Sequence, residues 1–98
     1  MKTGFVYILK CSDNSYYVGV TNNPERRFVE HQQGISMSYT KSRRPLKLVW
    51  ISEEMDIITA IESEKRIKGW RREKKEALIE GKFEKLPDLS IAYWKKEK

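Results

Sequence analysis

The sequence predicts a small α/β domain of the α+β kind, in which helices flank a three-stranded, mostly antiparallel sheet. Residues 4–10 and 16–21 are rich in aromatic and β-branched side chains, and turn-forming residues separate them, so they predict a β-hairpin. Residues 46–52 form a third apolar run and predict a further strand, whereas the pattern changes to helical spacing from about residue 55. Helices must therefore cover the sheet.

A helix is predicted directly after the hairpin. Asn22 and Asn23 offer a cap, Pro24 suits the first helical position, and Glu25 places an acid in the first turn. Gly34 is the expected end of this helix.

Residues 35–45 predict a loop, because they are polar, serine-rich and basic and show neither a helical nor a strand period. Within them, Tyr39, Lys41, Arg43 and Arg44 combine an aromatic ring with cations, which suits contacts to backbone phosphates and a stacked base. A solvated connector that is basic by chance is the alternative.

Two further helices are predicted, with a break at Gly69 and an end at Gly81. The apolar stripe of the first comprises Ile57, Ala60, Ile61, Ile67 and Trp70. The same spacing falls on Glu64, whereas Glu62 lies off that face. Because an unpaired buried charge is costly, we expect Glu64 to form an ion pair with a nearby Lys or Arg, to lie at the margin of the stripe, or to hold a bound cation.

A cluster of cations follows Glu64, and acids are interleaved with it, so a solvated face with local ion pairs is its default interpretation. The cations are Lys65, Lys68, Arg71, Arg72, Lys74 and Lys75.

Composition favours one folded domain over residues 1–98 with a polyanionic partner. The 20 Lys and Arg residues outnumber the 14 Asp and Glu residues, which gives a net charge of +6. The single cysteine, Cys11, excludes an internal disulfide and a multi-cysteine zinc site. We expect a cytoplasmic protein, because we find no room for a signal peptide before the first strand and no apolar run that would span a membrane.

Several polar side chains are predicted to converge at the hairpin. Tyr7 and Tyr17 lie on adjacent strands, and Arg27 and His31 are four residues apart on one face of the following helix. Gly19 inside a strand indicates the close approach of another backbone or a ligand.

These residues resemble the paired motif of the GIY-YIG nuclease family. The segments Val-Tyr-Ile at residues 6–8 and Tyr-Val-Gly at 17–19 are ten residues apart from Tyr to Tyr, Arg27 follows ten residues later, and His31 lies one turn further on. The family includes homing endonucleases, restriction enzymes, the nuclease subunit of excision repair, and small stand-alone bacterial proteins. This chain is most similar in size to the last group.

The resemblance covers roughly residues 4–80, because Ala-Ile-Glu-Ser-Glu-Lys at 60–65 is similar to the family's metal-binding helix, with Glu64 at the matching position. Val6 stands where the family has Ile, and Phe5 where the namesake Gly falls if the triplet is taken one residue earlier. Val20 replaces a Lys of some members, so help from that Lys in positioning the nucleophile is absent here.

The resemblance implies a catalytic set of Tyr7, Tyr17, Arg27, His31 and Glu64. Glu64 would hold one Mg²⁺ or Mn²⁺, and Arg27 would face the charge of the transition state. One of the two tyrosines would act as general base and the other would orient water, and we favour Tyr17 as the base. The predicted substrate contacts are Gly19, Tyr39, Lys41, Arg43, Arg44 and Lys68.

We therefore predict a metal-dependent endonuclease, a monomer or weak homo-oligomer, that cleaves DNA more readily than RNA. A domain of this size offers little surface for sequence readout, so selectivity for DNA structure, as in DNA repair, is expected. A nucleic-acid-binding module without catalysis is the alternative, and a homo-oligomeric scaffold that uses Tyr93 and Trp94 is the third hypothesis.

Overall fold

The computed structural model describes residues 2–35 and 38–81, and it confirms the predicted α+β class. The predicted C-terminal segment from residue 87 onward, with Tyr93 and Trp94, lies outside the described residues.

The predicted hairpin forms. Strand β1 (Thr3–Lys10) pairs antiparallel with β2 (Tyr16–Thr21), and this register sets Tyr7 opposite Gly19. Tyr17 is two residues from Gly19, so the two phenols are diagonal neighbours on one face of the sheet.

The described sheet has four strands rather than the three predicted. Strand β3 (Lys47–Ile51) pairs antiparallel with β1, with an irregularity between Ile8 and Leu9, so that β1 is central and β2 lies at an edge. Strand β4 (Met55–Asp56) pairs with the start of β1. Sequence patterns did not indicate β4, because two residues are too few to show a period.

Helix α1 (Pro24–Gln32) begins as predicted, with the side chain of Asn23 accepting a hydrogen bond from the backbone N–H of Arg26. The segment that we predicted to be a loop contains α2 (Ser38–Lys41), a single helical turn. Four residues are again too few for a periodic signal.

Helices α3 (Ile57–Lys68) and α4 (Arg72–Glu80) are separated at Gly69, and Gly81 ends α4 with a φ of +76°. The buried face of α3 is formed by Ala60, Ser63 and Ile67. Ile61 is 39% exposed, so its predicted place in the apolar stripe was wrong.

The core has two parts that share the sheet. One comprises Val6, Ile8, Val18, Ala60, Ile67, Ala77 and Leu78. The other comprises Tyr7, Leu9, Cys11 and Leu46, with Tyr17, Phe28 and Leu48 packed against it. The candidate site includes residues of this second part of the core. None of the helices within the described ranges is long and apolar enough to cross a bilayer.

Candidate active site

Tyr7 is the buried centre of the candidate site. Its side chain is 3% exposed, and its hydroxyl oxygen lies 2.9 Å from Nε2 of His31. A Cβ at residue 19 would lie 2.5 Å from that hydroxyl oxygen, so Gly19 makes room for the Tyr7 ring. Tyr7 is thus the close neighbour that the glycine within β2 indicated, and a substrate contact at Gly19 stays a prediction.

His31 lies in the last turn of α1 and is fully buried. Its Nδ1 atom lies 2.7 Å from Oγ1 of Thr40 on α2, so hydrogen bonds hold both ring nitrogens. Burial lowers the pKa of His31, and the nearby charge of Arg27 lowers it further. The ring is therefore neutral at pH 7, and one nitrogen of a neutral imidazole acts as an acceptor.

Tyr17 packs beside Tyr7 and His31 and is less buried than either. Its ring centroid lies 6.3 Å from that of Tyr7, 5.2 Å from that of His31 and 5.9 Å from that of Tyr39. Helix α2 thus supplies both Tyr39 and Thr40. Sequence reasoning missed Thr40, because no pattern in the predicted loop distinguishes it from its polar neighbours.

The surroundings of Tyr7 favour the neutral phenol. Burial raises the pKa of Tyr7, Tyr17 raises it further, Arg27 lowers it, and Glu64 adds a smaller increase. Arg27 and Glu64, from α1 and α3, are therefore both near enough to act electrostatically on this phenol. The Arg27 side chain is 39% exposed, and its Nε lies 3.5 Å from Oε1 of Glu30.

Glu64 is partly buried and engaged in an ion pair. Its side chain is 14% exposed, and Oε2 lies 2.8 Å from Nζ of Lys68, one turn along α3. The hydrogen bond to Glu64 raises the pKa of Lys68. The structure thus shows the predicted ion pair of Glu64 with a nearby lysine. Lys68 already has an anionic partner.

The donor set nevertheless fits a predominantly hydrated cation. Among residues 2–35 and 38–81, no three His, Cys, Asp or Glu side chains are grouped as a metal site. Mg²⁺ retains several waters and commonly uses only one or two carboxylates of the protein, so the hard oxygens of Glu64 suffice in kind. Lys68 is 59% exposed, and its flexible side chain has room to move aside.

Tyr39 and Arg43 belong to a fixed surface network. The Arg43 guanidinium lies 4.0 Å from the centre of the Tyr39 ring, and its Nε donates to Asp13 at 3.0 Å. The Tyr39 hydroxyl donates to Oγ of Ser15 at 3.0 Å. The turn of the hairpin therefore positions the ring that packs beside Tyr17.

Arg44 joins parts of the backbone rather than facing outward as a free phosphate ligand. Its Nε donates to the carbonyl of Lys41 at 2.9 Å, and a terminal nitrogen donates to the carbonyl of Gln32 at 3.3 Å. Its guanidinium also packs against Gly34. These contacts hold α2 near the end of α1, and the predicted substrate contact of Arg44 stays a prediction. Lys41 is exposed.

The candidate site lies within the part of the chain that matches a known family model. The model of the GIY-YIG catalytic domain matches residues 3–77, so the chain belongs to the GIY-YIG family, a family of nucleases. Nucleic acid is therefore the class of substrate that the family implies.

Within this family, the chain is similar to UPF0213 proteins. A relative in Listeria monocytogenes is 43% identical over 75 residues, which cover 76% of this chain and 84% of the relative. Another, in Staphylococcus haemolyticus, is 41% identical over 80 residues and is covered over 98% of its length, against 82% of this chain.

Two solved structures are similar to this chain. The solution NMR structure of a UPF0213 protein from Bacillus halodurans matches with a TM-score of 0.52 and 35% identity, over 81% of this chain and 84% of that one. An E. faecalis protein solved by NMR matches with a TM-score of 0.55 and 31% identity, over 83% and 86% of the two chains.

Proposed function

We propose that this protein is a metal-dependent endonuclease that hydrolyses phosphodiester bonds in DNA. The observation that carries the proposal is the hydrogen bond between the buried Tyr7 hydroxyl and a neutral His31, with Tyr17 beside both. Such a chain of groups can accept a proton from water, as hydrolysis requires.

We assign the general base to Tyr17. Its side chain is less buried than that of Tyr7, so it can reach the attacking water. The raised pKa of Tyr7 makes Tyr7 a poor phenolate, so Tyr7 relays a proton: as water gives a proton to the Tyr17 oxygen, Tyr17 gives its own proton to Tyr7, and Tyr7 gives its proton to Nε2 of His31. Thr40 holds the imidazole in position for that transfer.

Arg27 would stabilise the charge that gathers on the phosphate. It is the cation that acts on both Tyr7 and His31, and its planar guanidinium suits two phosphate oxygens at once. Its contact with Glu30 is long at 3.5 Å and solvent-exposed, so it competes weakly with a substrate.

Glu64 is the residue that would hold Mg²⁺ or Mn²⁺, as the metal dependence general to this family implies. A divalent ion there, when bound, supplies Lewis acidity toward the phosphate and the leaving oxygen. The carboxylate of Glu64 raises the pKa of Tyr7, so a cation held by Glu64 would lie near the phenols.

The surface around these residues would contact the DNA backbone. Tyr39 on α2 packs beside Tyr17 with Arg43 on its ring, and Lys41 of the same helix is exposed. We expect selectivity for flaps, branches, single strands or damaged duplex, because so small a domain has little surface for base readout.

The test is cleavage of single-stranded, flap, branched and duplex DNA with Mn²⁺. Wild type should cleave at least one of these substrates, whereas Tyr17→Phe, Arg27→Ala and Glu64→Gln should not. Glu62→Gln is the matched control, because Glu62 is an exposed acid on the same helix. Binding without cleavage by wild type on every substrate would instead indicate a non-catalytic binding module.

A further inference from the structure

A cavity of about 400 Å³ runs beside the edge strand β2, next to the candidate active site. It is lined by Tyr16, Tyr17, Val18, Tyr39, Lys68 and Lys75. Its size is typical of small-molecule sites, which are about 300–1,000 Å³. Because Tyr17 and Lys68 also border the site described above, whatever occupies the cavity lies beside the reacting groups.

Lys75 gives the cavity its available positive charge. Lys68 is committed to Glu64, whereas no carboxylate among the described residues lies within 4.0 Å of the Lys75 ammonium. Lys75 is partly buried, and burial lowers its pKa, as do the charges of Arg72 and Lys68. An anion seated beside Lys75 would offset the repulsion that Arg72 and Lys68 exert on its ammonium group.

The aromatic wall of the cavity is held in place before any ligand arrives. The rings of Tyr17 and Tyr39 are inclined by 30° with centroids 5.9 Å apart. Ser15 fixes the hydroxyl of Tyr39, and Arg43 packs on its ring. Aromatic faces of this kind bind nucleobases that have left a helical stack.

We propose that the cavity holds one unstacked nucleotide of a single-stranded segment beside the cleavage site, with its base on Tyr17 and Tyr39 and its phosphate on Lys75. This assignment rests on the proposed nuclease function and names the substrate class, single-stranded or frayed strands. A base within an intact duplex is paired and stacked, so it cannot enter without first being extruded.

The test measures binding in EDTA, where cleavage does not interfere, with fluorescein-labelled twelve-nucleotide oligo(dT) and a twelve-base-pair duplex. Lys75→Met should weaken single-strand binding about tenfold, as for loss of a charged hydrogen bond, and duplex binding less than about twofold. Tyr39→Ala should weaken single-strand binding about fivefold or more. Lys65→Met, which removes an exposed charge from α3, should affect both probes equally and weakly.

A titration of unmodified wild type by NMR gives a readout that is independent of variants. Oligo(dT) should shift the amide signals of Val18 and Lys75 and leave those of Lys2 and Asn22, which line a second cavity of about 390 Å³, unchanged.

Two results would overturn the assignment in distinguishable ways. If Lys75→Met binds oligo(dT) as wild type does while wild type still cleaves DNA with Mn²⁺, the cavity is not the nucleotide site and the nuclease function stands. If wild type neither binds nor cleaves DNA, the proposed function and this assignment both fail.

Discussion

The ring of Tyr7 lies against Gly19 of the neighbouring strand, so closely that a Cβ at residue 19 would come within 2.5 to 2.9 Å of three of its atoms. The two residues are direct partners across β1 and β2. This contact leaves the Tyr7 hydroxyl directed at His31, where their hydrogen bond is buried. Gly19 therefore acts on the candidate site through the position of Tyr7.

Replacing Gly19 should accordingly disturb stability and the site together. We expect Gly19→Ala to lower the free energy of unfolding by about 1–3 kcal/mol, because the added methyl overpacks a buried ring. Gly69→Ala is the control: its Cβ would meet nothing nearer than 3.6 Å, and we expect a change within about 1 kcal/mol. Urea unfolding of the two variants measures the difference, and equal losses would contradict the packing explanation.

Replacing either tyrosine by phenylalanine should reduce cleavage, but the two variants should differ in how much stability they lose. Tyr7→Phe leaves Nε2 of His31 without its buried partner, so we expect a loss of about 1–3 kcal/mol. Tyr17 is less buried, and Tyr17→Phe should cost less. Both variants should lose Mn²⁺-dependent cleavage by about 100-fold or more. Thermal unfolding and cleavage rates test this together; full activity of Tyr17→Phe would return the base role to Tyr7.

Arg27 and Arg26 form a natural pair of variants. Both contact Glu30 on the exposed side of α1, at 3.5 Å and 3.9 Å, so removing either should change stability by less than about 1 kcal/mol. Only Arg27→Ala should abolish cleavage, by about 100-fold or more, because Arg27 alone of the two acts on Tyr7 and His31. Similar cleavage rates in both variants would argue against a role at the phosphate.

Lys68 should compete with a divalent cation for Glu64. An ion pair one helical turn apart contributes about 0.3–0.5 kcal/mol, so Lys68→Met should tighten Mn²⁺ binding by about twofold. Glu64→Gln should abolish that binding. Titration followed by the electron paramagnetic resonance of free Mn²⁺ measures both. Weaker Mn²⁺ binding by Lys68→Met would show that the lysine supports the cation rather than opposing it.

His31 should make stability depend on pH near neutrality. Its pKa is lowered on folding, so below its usual value of about 6.5 the unfolded chain binds more protons than the folded one. The stabilisation is thus present above about pH 6.5 and is lost as the pH falls from there toward the folded pKa. Urea unfolding from pH 8 to pH 5 should show this loss.

A single variant serves as the control for that experiment, because His31 is the only histidine of the chain. His31→Gln should remove the slope over this range, and NMR titration of the wild-type ring should give a pKa below the usual value. The same slope in both proteins would assign it to other groups.

Much of the fold follows from local patterns. The aromatic and β-branched runs of the hairpin, the Asn-Pro start of α1 and the glycines at residues 69 and 81 each act over a few neighbours, so they are readable in the sequence. Strand β4 and helix α2 were not predicted, because two and four residues hold too little pattern. Their positions depend on what they pack against.

For the candidate site, residue spacing was enough to list the groups: two phenols on adjacent strands of a hairpin, Arg27 and His31 one helical turn apart, and Glu64 in phase with a buried face. How these groups are used depends on contacts between elements, which the sequence patterns do not contain. The tertiary structure brought Thr40 to His31, set the Tyr7 ring on Gly19 and paired Glu64 with Lys68. Residue spacing fixes which side chains share an element, whereas contacts between elements depend on how those elements pack.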